Sequence, residues 1–239
     1  YVRGNIHLTK VDSEYPDNKL TGATFEVYKD SNANGKLDDG DELLGTLTEK
    51  EKGEYSMNDL FHGRYFVKET KAPEGFVLDT GVYEVMIDTD GKTYEVENKA
   101  GVGFINDAMR GNLKIVKTSS DGKVKGFAFR ITGANGYDII LETNDKGEIF
   151  IDGLRIGDYT ISEVSNSASS MYVIPADKKA TVKIGSTTIV EMHNVLRDTP
   201  KTGDTTNLPL LYALAGLSAV GIAVCGVIGF KKKKKEDRN

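Results

Sequence analysis

The chain has 239 residues, with 31 Lys and Arg against 36 Asp and Glu, a net charge of −5 and one cysteine. Apart from an apolar run near the C-terminus, about two hundred residues are left for globular structure, enough for two domains of ordinary size. No basic stripe interleaves with aromatic residues, which excludes a nucleic-acid partner, and Cys225 lies inside the apolar run, which excludes an internal disulfide elsewhere.

In chain order, short stretches of alternating character at residues 5–11, 24–28, 64–69, 82–87, 93–97, 113–116, 127–131, 159–163 and 187–192 are predicted strands, punctuated by Gly, Asp and Asn. This spacing is that of β-sandwiches, and no stretch before Leu208 carries a helical period. The expected fold class is therefore all-β. Tyr1-Val2-Arg3-Gly4 has neither region of a signal peptide, so the chain reads as a piece of a longer protein, with further repeats expected upstream.

After the second predicted strand, Asp30, Asn32, Asn34, Asp38 and Asp41 place oxygen side chains at positions one, three, five, nine and twelve of a loop whose sixth residue is Gly35. That is the spacing of an EF-hand loop, with Asp41 where a bidentate Glu is usual. Hard oxygen ligands in a flexible loop suit Ca2+, with the Lys36 carbonyl at position seven. The plainer alternative is a solvated acidic hairpin tip, since Asn-Gly and Asp-Gly are strong turn formers.

Segments recur along the chain. Arg3-Gly4-Asn5-Ile6 returns as Arg110-Gly111-Asn112-Leu113. Lys52-Gly53-Glu54, Leu60, Gly63, Tyr65 and Glu69 return with unchanged spacing as Lys146-Gly147-Glu148, Leu154, Gly157, Tyr159 and Glu163. A duplicated domain follows, with units expected at 1–109 and 110–198.

The segment from Tyr65 to Phe76, with Glu69 and Ala72-Pro73-Glu74-Gly75 inside it, closely resembles the E-box of collagen-adhesin B-type (CnaB) domains of SpaA-type pilins. The resemblance extends to Leu8-Thr9-Lys10-Val11-Asp12 and to Phe104-Ile105-Asn106. It implies two tandem prealbumin-like, Ig-like β-sandwiches. It also implies an isopeptide bond in each, between a Lys of the first strand and an Asn of the last, assisted by the E-box Glu. Carried over, the trios are Lys10, Glu69 and Asn106, then Lys117, Glu163 and Asn194. Asn98 competes with Asn106, and the second repeat lacks the Ala-Pro-any-Gly that follows the Glu of the first.

The chemistry stands without the family. A Lys on an inward strand face loses solvation, which lowers its pKa and frees the amine as a nucleophile. A carboxyl in the same site is raised, stays protonated, hydrogen-bonds the Asn carbonyl and shuttles protons as ammonia leaves. Contact between amine and amide supplies the effective concentration. The alternative is a buried Lys–Glu ion pair that never reacts.

The chain closes with Thr199-Pro200-Lys201-Thr202-Gly203, a spacer to residue 207, an apolar run at 208–230 and a tail at 231–239 that opens with five lysines. About twenty-three apolar or small residues suffice to cross a bilayer as a helix, and the lysines pin that end in the cytoplasm. The pentapeptide resembles the sortase motif Leu-Pro-any-Thr-Gly of Gram-positive surface proteins, with Thr199 in place of Leu. The resemblance implies cleavage at Thr202, a transient membrane hold, and transfer to peptidoglycan or to pilin subunits at the cell surface.

The expected function is a structural stalk in a sortase-anchored surface protein or a minor or basal pilin; the rival is an adhesin module that binds a host matrix ligand. Tyr15-Pro16-Asp17-Asn18-Lys19 only loosely echoes a backbone-pilin lysine motif and reads as a polar turn. No enzyme is expected: no Ser-His-Asp or Cys-His set is present, and His7, His62 and His193 show no partners in the sequence.

Overall fold

The computed structural model describes residues 1–198. The expected sorting peptide, membrane helix and basic tail lie outside those residues. Among them the chain is all-β, its one helical element being a single 3-10 turn at Ala134–Gly136.

Alternation builds the first strand. β1 (Arg3–Asp12) buries Gly4, Ile6, Leu8, Lys10 and Asp12 while the intervening residues up to Thr9 are partly exposed, as a half-buried strand of period two must. The following strands are β2 (Thr24–Lys29), β3 (Glu42–Thr46), β4 (Thr48–Glu51), β5 (Glu54–Phe61), β6 (Gly63–Lys71), β7 (Val82–Ile87), β8 (Thr93–Glu95) and β9 (Phe104–Asn106). They form one sheet of order β4-β5-β1-β8, with β9 also on β1, and one of order β3-β2-β6-β7. Ile6, Leu8, Tyr55 and Phe104 from the first sheet meet Phe25, Val27, Tyr65, Val67 and Ile87 from the second in one core cluster.

The second half repeats the plan with β10 (Arg110–Ser119), β11 (Ala128–Thr132), β12 (Asp138–Glu142), β13 (Glu148–Arg155), β14 (Gly157–Val164), β15 (Tyr172–Val173), β16 (Lys178–Val182) and β17 (Thr187–Leu196). Its sheets run β13-β10-β17-β15 and β12-β11-β14-β16 around a separate core cluster that includes Leu113, Ile115, Phe127, Phe129, Ile161 and Met192.

The first and last strands of each half are parallel neighbours. β10 pairs with β17 without interruption from Asn112↔Thr187 to Ser119↔Asn194. In the first half β8 and β9 share that task, pairing Asn5↔Thr93 to His7↔Glu95 and then Lys10↔Phe104 to Asp12↔Asn106. The excursion between them holds Asn98, whose side chain bonds both backbone groups of Ile105, at 2.7 and 2.9 Å, and so replaces a ladder step.

β5 and β13 were absent from the predicted strands, and a bulge explains both. Register slips opposite Gly4/Ile6 and Gly111/Leu113, where Asp59 has φ 63° and Gly153 φ 64°. The extra residue breaks the period-two pattern. Each bulge N–H is capped by the Asn of the recurring Arg-Gly-Asn: Asp59 N–H donates to Asn5 Oδ1 and Gly153 N–H to Asn112 Oδ1, both at 3.1 Å. The Lys-Gly-Glu repeat has a comparable cause. Gly53 and Gly147 adopt φ 71° and 76°, the left-handed turn that favours glycine, and their carbonyls accept the backbone N–H of Lys10 and Lys117, each at 2.7 Å.

One departure concerns His7, which does have partners: its ring lies 2.6 Å from Glu95 and 2.9 Å from Glu54, on the outer face of β1. His193 likewise contacts the Thr118 hydroxyl at 2.8 Å. Both pairings cross between strands remote in sequence. The Tyr15–Lys19 segment is a turn as expected, closed by Asn18 N–H to the Tyr15 carbonyl at 2.8 Å.

The two halves meet at an ion cluster. Arg155 donates to both oxygens of fully buried Asp12, at 2.6 and 2.7 Å, and to Glu14 at 2.6 and 3.0 Å, while Arg110 also pairs with Glu14. The bidentate guanidinium geometry is the strong form of this contact.

Candidate functional site

The core of each half contains a Lys, a Glu and an Asn where apolar residues would be expected. Lys10, Glu69, Lys117 and Asn194 are at most 1% exposed, Asn106 3% and Glu163 7%. Alternation puts the lysines inward: Lys10 continues the Ile6, Leu8 face of β1, and Lys117 the Leu113, Ile115 face of β10. Each Asn lies on the adjacent parallel strand, two residues beyond the lysine's partner. Lys10 pairs with Phe104 and Lys117 with Met192, so Asn106 and Asn194 share the lysine's face. The glutamates come from the opposite sheet, on β6 and β14, opposite Phe25 and Phe129.

Asn106 Nδ2 donates to Glu69 Oε2 at 2.8 Å and Asn194 Nδ2 to Glu163 Oε1 at 2.6 Å. Lys10 Nζ donates to the Phe104 carbonyl at 3.0 Å and lies 5.4 Å from that ring's centre, while Lys117 Nζ donates to the Thr118 carbonyl and sits 4.1 Å over Phe127. Among the described residues no ion pair joins either lysine to its glutamate. Buried without hydrogen-bond partners are Glu69 Oε1, Asn106 Oδ1, Glu163 Oε2 and Asn194 Oδ1. Each half thus leaves one carboxyl and one amide oxygen unsatisfied.

Burial sets the electrostatics. It pulls Lys10 down to about 8, against the opposing charges of Glu69, Asp79 and Asp12, and lowers Lys117 against Glu163 and Asp121. Burial also raises Glu69, over the opposing N–H groups of Asp79 and Asn106 and the charge of Lys10, and raises Glu163 over Asn194 and Lys117. Desolvation drives an acid and a base toward their uncharged forms in the same site.

Asn98, the rival of Asn106, is spent on Ile105 and on Asp79, whose Oδ2 it meets at 2.7 Å. The segment after Glu69 folds back over Asn106. Gly75 turns it, Phe76 bridges Ala108, and the Val77 carbonyl accepts from Asn106 Nδ2 at 2.7 Å. A cleft of about 420 Å³ bounded by Val77, Asp79, Tyr83, Asn98 and Asn106 opens beside that amide. Asp79 and Tyr83 were not among the sequence candidates, because their part in the site depends on loop closure rather than on strand pattern.

The candidate calcium loop connects β2 to β3, and the matching connection in the second half is the short segment around Ala134–Gly136. Asn32 and Asn34 amides converge on Asp38, at 3.0 and 2.5 Å, and Asp41 accepts the N–H groups of Ser31 and Asp38 at 3.1 and 3.0 Å. Asp30 accepts from Asn34 and Gly35 and lies 3.8 Å from Arg64. Asn32, Asn34 and Asp38 fit a hard-cation donor set, but Asp30 already has a cationic neighbour. Among the described residues no three His, Cys, Asp or Glu side chains are grouped to hold a metal ion.

The sequence profile of the SpaA prealbumin-like fold domain matches twice, at residues 4–100 and 111–196. The chain belongs to the SpaA family. Both trios fall within the matched SpaA segments except Asn106, which lies just past the first. The SpaA chain is 26% identical over 194 residues to the trypsin-resistant surface T6 protein of Streptococcus pyogenes serotype M6, covering 68% of this chain and 34% of that one. Among solved structures it resembles the Bacillus anthracis TIE protein, with a TM-score of 0.61 and 25% identity over 81% of this chain and 34% of that one. GBS52, the minor pilin of Streptococcus agalactiae, aligns at 19% identity and a TM-score of 0.38, over 84% and 98% of the two chains. This SpaA chain spans about a third of the length of the first two relatives.

Proposed function

We propose that the chain is a load-bearing stalk segment of a cell-surface protein or minor pilin, with two repeats that lock themselves by Lys10–Asn106 and Lys117–Asn194 amide bonds. The observation that carries this reading is the same buried trio, built twice from the same strands with the same Asn-to-Glu hydrogen bond. A protonated Glu69 would supply the donor that Asn106 Oδ1 lacks, closing a two-bond acid–amide pair of which one bond is present. That bond polarises the amide carbonyl. The lysine nitrogen then attacks Cγ, a new N–Cγ bond replaces Cγ–Nδ2, and the carboxyl carries the amine's proton to the departing ammonia.

The test is the intact mass of the protein. Parent chain should be lighter by one ammonia per repeat; Glu69→Ala and Glu163→Ala should each restore one. An unshifted parent mass would leave both trios as unreacted buried groups. Because Lys10 is drawn down to about 8 and Glu69 is raised, the first bond should form with a bell-shaped pH dependence. Its rate falls where the pair gains a proton in acid and where it loses one above about pH 8.

Anchoring belongs to the same proposal: sortase cuts at Thr202 after the apolar run 208–230 has paused in the membrane, and the product joins peptidoglycan or a pilin subunit. Thr202→Ala should abolish wall linkage in cell fractionation, and normal linkage in that variant would sink it. For the β2–β3 loop we propose Ca2+, held by Asn32, Asn34, Asp38, Asp41 and the Lys36 carbonyl, with Asp30 released from Arg64. Millimolar calcium should raise the melting temperature of the parent and not of Asp38→Ala, and an unmoved parent would reduce the loop to an acidic turn.

A further inference from the structure

Glu69 differs from Glu163 in its hydrogen bonding. Glu69 Oε2 accepts two N–H groups, from Asn106 Nδ2 and from the backbone of Asp79, both at 2.8 Å. Among the described residues Glu163 accepts only from Asn194. Asp79 lies in the β6–β7 connection, and its own carboxylate is held at three points: by Gly81 N–H at 2.6 Å, the Tyr83 hydroxyl at 2.9 Å and Asn98 Nδ2 at 2.7 Å. Asn98 is tied in turn to Ile105, the residue before Asn106.

Resting on the crosslinking reading above, we propose that Asp79 is a positioning residue for the first repeat, its anchored loop presenting the N–H that fixes Glu69 Oε2 as the acceptor and leaves Oε1 to carry the proton. A proton on Oε2 would face two N–H donors. On Oε1, buried and otherwise unpartnered, it faces none and is free to donate to Asn106 Oδ1, which lacks a donor. Without the Asp79 N–H, the proton divides between the two oxygens and the carbonyl is polarised for only part of the time. The Asp79 charge itself has opposed effects, because it holds Lys10 in its ammonium form while also raising Glu69 and so keeping the carboxyl protonated. Its contribution is therefore geometric. The bonds made and broken are those already given, and Asp79 emerges unchanged. Among the described residues the second repeat has no second N–H on its Glu163, so its bond serves as an internal control.

The experiment follows both crosslinks in the full 239-residue chain, made by cell-free translation in detergent, by quenching at intervals and mapping each bond by peptide mass. Asp79→Ala should slow the first bond about tenfold and leave the second unchanged. Tyr83→Phe, which removes one anchor, should slow it less, and Asp79→Asn, which keeps the acceptor for Gly81 but turns the oxygen that meets Tyr83 and Asn98 into an NH2 donor, should recover only part of the rate. The Asp79 N–H lowers the Glu69 pKa while the Asp79 charge raises it, so loosening the loop in Tyr83→Phe, which leaves that charge in place, should also move the acid limb of the pH profile upward, a change that simple loss of fold stability would not produce. Parent rates and an unmoved limb in Asp79→Ala and Tyr83→Phe would overturn the proposal. A faster first bond in Asp79→Ala would also overturn it, by showing that charge is the dominant effect. If the parent forms neither bond, it is the crosslinking reading that fails.

Discussion

Asn106→Ala should abolish the first crosslink and lower the thermal midpoint of the first repeat by roughly 20 °C. The bond would join the first strand to the last and close a loop of nearly the whole repeat. Loop-closure entropy gives about 4 to 5 kcal/mol for about a hundred residues, and each kcal/mol shifts a domain of this size by about 4 to 8 °C. Calorimetry on parent and variant measures the shift, and intact mass confirms the missing bond. Persistence of the ammonia loss in Asn106→Ala would assign the reaction to Asn98 instead.

The open variant should also acquire a pH signature. Folded Lys10, drawn down by burial to about 8 from 10.5, binds fewer protons than it does in the unfolded chain. Stability should therefore rise as pH climbs from about 8 towards 10.5, the sign expected when the unfolded state holds more protons. In the crosslinked parent the nitrogen is an amide and no such rise should appear in urea titrations at successive pH values. A flat profile in the open variant would mean that Lys10 reaches solvent.

Arg155→Ala should be the most damaging change at the joint between repeats. Asp12 is fully buried and both of its oxygens bond Arg155, whose side chain is only 16% exposed. Removing the guanidinium strands a buried carboxylate, which costs about 3 to 5 kcal/mol, whereas removing both charges is far milder. Arg155→Ala with Asp12→Asn should thus recover much of the loss in urea unfolding. Asp12 sits two residues from Lys10 and opposite Asn106, so the single variant should also lower the yield of the first crosslink and spare the second. Equal stability of Arg155→Ala and parent would show that the joint is held by its other contacts.

Legible in the sequence were the all-β class, the duplication and six of the buried polar residues, those of the two trios. Period-two alternation is a local property, and it placed Lys10 and Lys117 on inward faces. The recurring Lys-Gly-Glu and Arg-Gly-Asn marked features with local backbone causes: a left-handed turn under each lysine and a capped bulge. The folded chain shows which groups Asn98 and Asn106 each meet, a difference the sequence could not carry because both lie near the end of the repeat. Arg155 was equally illegible. Its counterpart in the first repeat is Phe61, and both stand at the same register position opposite Arg3 and Arg110, so internal repetition gave no hint of an ion pair. The Asp79 network depends on a loop closing over the core, and His7 on strands nearly ninety residues away. Pattern along a chain reports which face a residue occupies; which partner it finds there is fixed by contacts between segments that the pattern does not connect.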